Sequence, residues 1–270
     1  MLARFSHFPL PTMPYSRLTR TALWMLAAGL LLFSSPSAAS AVSSLDDALT
    51  VVDSLRAHRQ FHAALHRLDS LEQVHPKSVA VQWRRALLYA DLGKAAPGTE
   101  AVALYKQALE AANTALRIDS SSARAHMVKA LAEGRLTLHV GTAERLKRSR
   151  RVKQHADRAI ALDSTLAPAY HLRGRWHRNV ADLNFLQRTL AKSLYGGLPD
   201  ASFEQAILDF KRAIELESKP YNHLELAKTY LAVGHKKTAR TQLQNALERS
   251  GSPFDREYKR EARSLLADLR

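Results

Sequence analysis

Cysteine does not occur in the 270 residues. That excludes disulfides, thiolate metal ligands, a cysteine nucleophile and lipid attachment through an N-terminal cysteine. Acidic residues are missing from the chain before Asp46. No apolar run approaches the roughly 20 residues that a membrane-spanning helix needs; the longest, Ala22 to Phe33, has 12. Glycine and proline are modest at ten each, while 46% of residues are hydrophobic, a globular and not a disordered composition. Phosphate-binding and dinucleotide glycine patterns, Gly-x-Ser-x-Gly and His-Glu-x-x-His are all missing. No catalytic function and no cofactor is therefore expected.

What is present begins with a targeting-type segment over residues 1–41. Arg17 and Arg20 precede the apolar run, Pro36 breaks it, and Ala39-Ser40-Ala41 supplies small residues for cleavage. The reading is a signal peptide with a mature chain from 42 to 270, periplasmic or secreted. The stretch before Met13 is long for a leader, which makes Met13 a rival start. Two other readings stay open: an uncleaved N-terminal anchor and a mitochondrial presequence. Forty Lys and Arg against 25 Asp and Glu give a formal charge of +15. Losing the three leader arginines leaves about +12, which favours anionic partners.

Ala, Leu, Arg, Lys, Gln and Glu dominate after Val42, and these are strong helix formers. The decisive pattern is a repeat. Small residues recur where two helices of a hairpin cross closely and a large side chain would push them apart. In the last copy Leu226-Ala227 is followed by Tyr230, a stop at Gly234, Ala239, Leu243, Ala246 and a second stop at Ser250-Gly251. The first copy runs Val52, Ala64, Leu68, Leu71, Pro76. Between them Ala86 pairs with Ala108, Ala130 with Val152 and Gly174 with Ala206. These spacings are 22, 22 and 32 residues against 12 in the outer copies, which implies lengthened helices and one additional helix. Ala-Leu-Arg-Ile-Asp-Ser, Ala-Ile-Ala-Leu-Asp-Ser and Ala-Ile-Glu-Leu-Glu-Ser close repeats two to four. The predicted fold is all-α: a tetratricopeptide-like α-solenoid of about five helical hairpins, near 45–78, 79–122, 123–166, 167–219 and 220–252. A final helix over 255–269, with Tyr258, Ala262, Leu265, Leu266 and Leu269 on one stripe, is predicted to cap it.

The insertion in repeat four opens with Gly174-Arg175-Trp176. It continues through Leu183-Asn184-Phe185-Leu186-Gln187-Arg188 and leaves through Leu194-Tyr195-Gly196-Gly197-Leu198-Pro199. From Ala167 to Arg270 this resembles the regulator of microtubule dynamics family, which has a Gly-Arg-aromatic opening, a Leu-polar-aromatic-x-x-Arg core and a Leu-aromatic-Gly-x-x-Pro exit. His177-Arg178 is more basic than is usual there. The resemblance implies a tetratricopeptide domain with a ligand in its groove. Animal members associate with microtubules or mitochondrial contact sites, and one is linked to phospholipid binding. An exported chain would meet no microtubules, so only the architecture and the groove ligand are carried over.

Helix A of each repeat lines the concave face. In repeat four its inward stripe falls on Pro168, His171, Arg175 and Arg178, and in repeat five it includes Lys228. A groove with His171, Arg175, Arg178 and Lys228 suits a carboxylate or phosphate. The competing assignment has these residues paired with Asp182 or Glu225 for stability alone. Lys147, Arg148, Arg150, Arg151 and Lys153 form the densest basic patch. No aromatic residues interleave for base stacking, so nucleic acid is not the expected partner. His58, His62 and His66 recur every fourth residue, but a turn near Gln60 puts His58 on another helix, and no metal site is expected. The predicted function is a scaffold that holds an acidic protein segment in its concave groove. The alternative is a module for phospholipid or another anionic ligand, with Met127, Leu131 and Leu224 turned inward and Arg175 at the mouth.

Overall fold

In the computed structural model, residues 44–269 are described, and among them every regular element is helical. The leader-like segment 1–41 lies outside the described residues. Five antiparallel hairpins follow one another: α1 (Leu45–Ala57) with α2 (Phe61–Val74), α3 (Val79–Ala95) with α4 (Gly98–Ile118), α5 (Ala123–Leu136) with α6 (Thr142–Leu162), α7 (Ala167–Ala181) with α9 (Phe203–Leu216), and α10 (Pro220–Ala232) with α11 (Lys236–Glu248). The insertion forms α8 (Phe185–Tyr195), and α12 (Asp255–Asp268) ends the chain.

Local chemistry sets these boundaries. Ser44 and Asp47 form a reciprocal capping box at the start of α1, and Asn184 with Gln187 does the same for α8. The hydroxyls of Ser78, Ser122 and Ser202 cap α3, α5 and α9. Pro168 and Pro220 occupy the first turns of α7 and α10, where no intrahelical N–H is needed. The repeated Asp-Ser endings are turn devices: Asp119 accepts from the backbone and hydroxyl of Ser121, and Asp163 from those of Thr165. These bonds hold both carboxyls below their usual range.

The alanine pattern is the core. Ala64, Ala108, Ala112, Ala130, Ala156, Ala206, Ala227 and Ala239 are fully buried, and the helices pack on them. At Gly174 a Cβ would stand 3.0 Å from the Phe210 ring, so glycine lets α7 and α9 approach closely there.

The C-terminal helix covers α10 and α11 through Ala262, Leu265, Leu266 and Leu269. Its leading end goes further. Phe254 joins the core of the first hairpin with Leu49, Val52 and Phe61, and stacks on Phe61 with ring centroids 5.9 Å apart. Arg59 donates to Glu257 at 2.6 Å and to the Pro253 carbonyl at 3.2 Å. Lys94 donates to the Tyr258 hydroxyl at 2.6 Å. The last helix thus touches both ends of the hairpin series and covers one side of the concave lumen.

Candidate functional site

The inner stripes of α1, α3, α5, α7 and α10 surround a cavity of about 540 Å³, with Trp83, Leu87, Met127, Leu131, His171 and Tyr221 on its wall and Phe254 and Tyr258 closing one side. That volume lies in the range of small-molecule sites. Its charges are unbalanced. Arg56, Lys94, Arg124, Arg135, Arg175 and Lys219 line it against Asp53, Asp91 and Glu217. Asp91 is taken by Arg56 at 2.6 Å, Asp53 by Arg84 at 2.8 Å and Glu217 by Lys219 at 3.4 Å. Arg124 lies over the Trp83 ring.

Lys94, Arg135 and Arg175 remain. The Nε of Arg135 is buried with no hydrogen-bond partner, and so is that of Arg175, whose nearest carboxylate oxygen, on Glu225, stands off at 3.7 Å. Burial, then the neighbouring Arg175 charge, lowers the proton affinity of Arg135. Burial, followed by Arg135, pulls the Lys94 ammonium down to about 7 from 10.5, against the opposing pull of Asp91. Three cations thus converge on one chamber: Arg175 shares Glu225 at its edge, Lys94 faces Asp91 and Glu257, and Arg135 has no ion pair among the described residues.

A second cavity of about 330 Å³ lies between α5, α6, α7 and the exit of the insertion, with Leu138, Leu146, Val152, Trp176, Val180 and Leu198 around it. Leu131, Arg135, Leu172 and Arg175 line both cavities, so these four side chains form a shared wall. The Arg135 and Arg175 guanidinium groups, each with a buried and unpartnered Nε, therefore stand between a charged chamber and an apolar one.

The four groove residues named from the sequence divide. His171 and Arg175 line the larger cavity, whereas Arg178 and Lys228 do not. His171 is a neutral spacer: its Nδ1 donates to Asn222 Oδ1 at 2.8 Å, and burial, then Arg175, lowers it to about 3. Arg178 and Lys228 converge on buried Glu225, at 2.6 and 3.1 Å, and Lys228 also reaches Glu261 at 2.5 Å. Burial works to raise the Glu225 pKa, but Arg175, Arg178 and Lys228 outweigh it and hold the carboxyl well below the carboxylate range. For this pair the stability assignment describes the geometry. Leu224 does not turn inward; it is fully buried among Ala227, Leu243 and Ala262, because repeat five packs that face against α11 and α12.

The basic run on α6 is largely committed inside the protein. Arg148 and Arg151 both grip Glu133, each at 2.7 Å, and Glu133 is only 2% exposed. Arg150 donates to the Gly197 carbonyl, and Lys153 pairs with Asp157 at 2.6 Å. Lys147 faces solvent. Glu144 in the first turn offsets the dipole that the run would oppose. His58 caps α1 while His62 and His66 lie on α2, and no group of three or more metal-type ligands occurs among the described residues.

The insertion motif is also structural. Arg188 donates to the carbonyls of Leu183 and Ala181, and Gly196 and Gly197 take the left-handed conformation that ends α8.

Sequence reasoning missed Lys94, Arg135 and the closing pair Phe254 and Tyr258. The inward stripe extended to every helix A would have reached Asp53, Trp83, Leu87, Met127 and Leu131. Lys94 and Arg135 lie a turn beyond it, on the lengthened end of α3 and the last turn of α5.

Known proteins share this architecture. A thermophilic tetratricopeptide-repeat protein of Thermus thermophilus superimposes with a TM-score of 0.61 at 22% identity, covering 82% of this chain and 98% of that one. PilW, a type IV pilus biogenesis factor, gives 0.51 at 18% identity over 83% and 87%. Among curated proteins, regulator of microtubule dynamics protein 1 of Caenorhabditis elegans is 28% identical over 216 residues, 79% of this chain and 96% of that protein. The Bos taurus protein of the same name is 33% identical over 60% of this chain, and the Mus musculus one 32% over 69%. The chain spans 52% and 63% of those two mammalian relatives. The family model described as Regulator of microtubule dynamics protein 1-3 matches residues 48–270, and the chain belongs to that family.

Proposed function

We propose that this protein is a non-catalytic binding scaffold that takes an anionic group into its lumen, with Arg135 and Arg175 receiving the charge. One observation carries the reading: the Arg135 guanidinium, its Nε buried without a partner and with no ion pair among the described residues, faces the cavity beside Arg175, whose Nε lies 3.7 Å from Glu225. A desolvated, unpaired donor costs free energy in the empty protein, and a carboxylate or phosphate would remove that cost. The first candidate ligand is an acidic side chain or chain terminus of a protein segment, because tetratricopeptide hairpins present a continuous inner face to a partner. The apolar second chamber behind the same wall favours a second reading, an amphiphilic anion with its head at the arginines and its tail among Leu138, Leu146, Val152 and Leu198. The apolar run at Ala22 to Phe33 supports export, and for an exported chain the family architecture, not a cytoskeletal role, is what we carry over.

Calorimetry with octyl phosphate, octanoate and an acidic hexapeptide separates the readings. The amphiphiles binding more tightly than the peptide selects the second; the reverse selects the first. R135Q/R175Q should weaken the winner by about 10- to 100-fold, the loss expected for hydrogen bonds to a charged group. Undiminished binding to the folded double variant would refute the site.

A further inference from the structure

The leading end of the C-terminal helix covers one side of the lumen and is held to the first two repeats by contacts whose character is unlike that of its other end. From Ala262 onward α12 is fixed by aliphatic packing on α10 and α11. From Pro253 to Tyr258 it is fixed by the Phe254 ring, by Arg59 reaching Glu257 and the Pro253 carbonyl, and by Lys94. The Lys94 ammonium lies 3.9 Å from the centroids of both the Phe254 and Tyr258 rings while donating to the Tyr258 hydroxyl. Arg59 lies 4.9 Å from the Phe254 centroid. Arg59 is also the one non-glycine among the described residues with positive φ, at 62°, a backbone cost that its two bonds to the last helix help to retain. The segment joining α11 to α12 contains Gly251 at φ 109°, a conformation that L side chains rarely adopt, and the N–H groups of Gly251 and Ser252 donate to the Asp255 carboxylate at 2.8 and 3.0 Å as the chain turns into α12.

We infer that residues 253–258 are the gate of the lumen, and that an anion bound at Arg135 and Arg175 holds this gate shut through Lys94. The inference rests on the lumen reading above and concerns how that site is entered. Lys94 is the group common to both: it lines the same cavity as the two arginines and is bonded to the gate. Facing it are Asp91 on its own helix, Arg135 on α5, Arg175 on α7, and Glu257 and Tyr258 on α12. With the lumen empty, the two guanidinium charges oppose a charged Lys94. An anion between them cancels that opposition and favours the ammonium form, whose attraction to the two rings is the part that depends on charge. Coupling of this kind is reciprocal, so a closed gate must also tighten the anion.

The absence of native cysteine allows site-specific spin labelling. With labels at H62C and R256C, both exposed positions outside the lumen, electron–electron resonance on the full chain should give a broad distance distribution in the empty protein. Saturating octyl phosphate should collapse it to its short component. K94M, which keeps the stem and removes the charge, should abolish the collapse and weaken octyl phosphate by about 10-fold. R59A touches the gate but not the lumen; it should accelerate both entry and exit of octyl phosphate in stopped flow by a larger factor than it changes the equilibrium, and R59K should restore part of the difference. Binding that leaves the distances unchanged, with R59A rates equal to those of the parent, overturns the gate and leaves the lumen site standing. Failure of octyl phosphate, octanoate and the acidic peptide all to bind overturns both.

Discussion

Replacing Arg135 by methionine should make the empty protein more stable. Arginine at this position has a buried Nε without a partner and a guanidinium facing the cations of Arg175 and Lys94. An unsatisfied buried donor costs roughly 1 to 3 kcal/mol. Methionine keeps the length and the apolar stem that packs beside Leu131 and Leu172 on the shared wall, and it fills irregular space without strain. Subtracting some lost contact, a net gain of about 1 to 2 kcal/mol is expected, which for a folded unit of this size raises Tm by roughly 2 to 8 °C. Differential scanning calorimetry without ligand measures it. Carbon-detected NMR of the Lys94 side chain gives a second readout, because removing the Arg135 charge should return its pKa from about 7 part of the way toward 10.5. At the same time octyl phosphate binding should fall. Gained stability with lost binding is the signature of a residue kept for a ligand. A folded R135M variant that melts several degrees lower would mean that Arg135 carries a structural contact, and the argument for an anion site would fail.

E225Q removes the acid on which Arg175, Arg178 and Lys228 converge and should cost roughly 3 to 5 kcal/mol in urea denaturation, the penalty for leaving a buried pair half made. In the parent, the folded Glu225 pKa lies below its unfolded value, so its contribution is complete above about pH 4.5 and is lost as pH falls below it; E225Q should flatten that acid limb. Lys94 works in the opposite direction. Its folded value of about 7 lies below its unfolded 10.5, so the unfolded chain binds more protons between them, and stability should rise from pH 7 to 9 in the parent and less in K94M. G174V places branched carbons where even a Cβ would stand 3.0 Å from the Phe210 ring; overpacking of this kind should cost about 1 to 3 kcal/mol, read as a lower urea midpoint.

The hairpin series was legible because its determinants are local and periodic. Ala227 and Ala239, or Gly174 and Ala206, recur in register since two helices cannot cross there with larger side chains, and that constraint is written into residue size. The Asp-Ser endings were legible as helix stops for the same reason: Asp119 and Asp163 act on groups two residues away. The contact between the last helix and the first hairpin was not. The contact of Phe254 with Phe61 and of Glu257 with Arg59 joins residues nearly 200 positions apart, and nothing in the stripe of α12 distinguishes a helix that only covers α11 from one whose leading end also reaches the first hairpin.

The charge of the chain shows why the binding residues were only half legible. From sequence, the densest basic run is the natural place to look for an anion, yet Arg148 and Arg151 are neutralised by Glu133, an acid 15 residues and more upstream on the neighbouring helix. Arg178 and Lys228 are likewise neutralised by Glu225. What marks a cation as available is not how many others flank it but whether an acid lies opposite it in the folded hairpins. Arg135 lies two residues after Glu133 in the sequence, but their side chains leave α5 in different directions, one to the lumen wall and one to α6. Two residues of offset on one helix therefore separate a satisfied structural acid from a guanidinium with an unpartnered Nε, and it is the second that the proposed anion would engage.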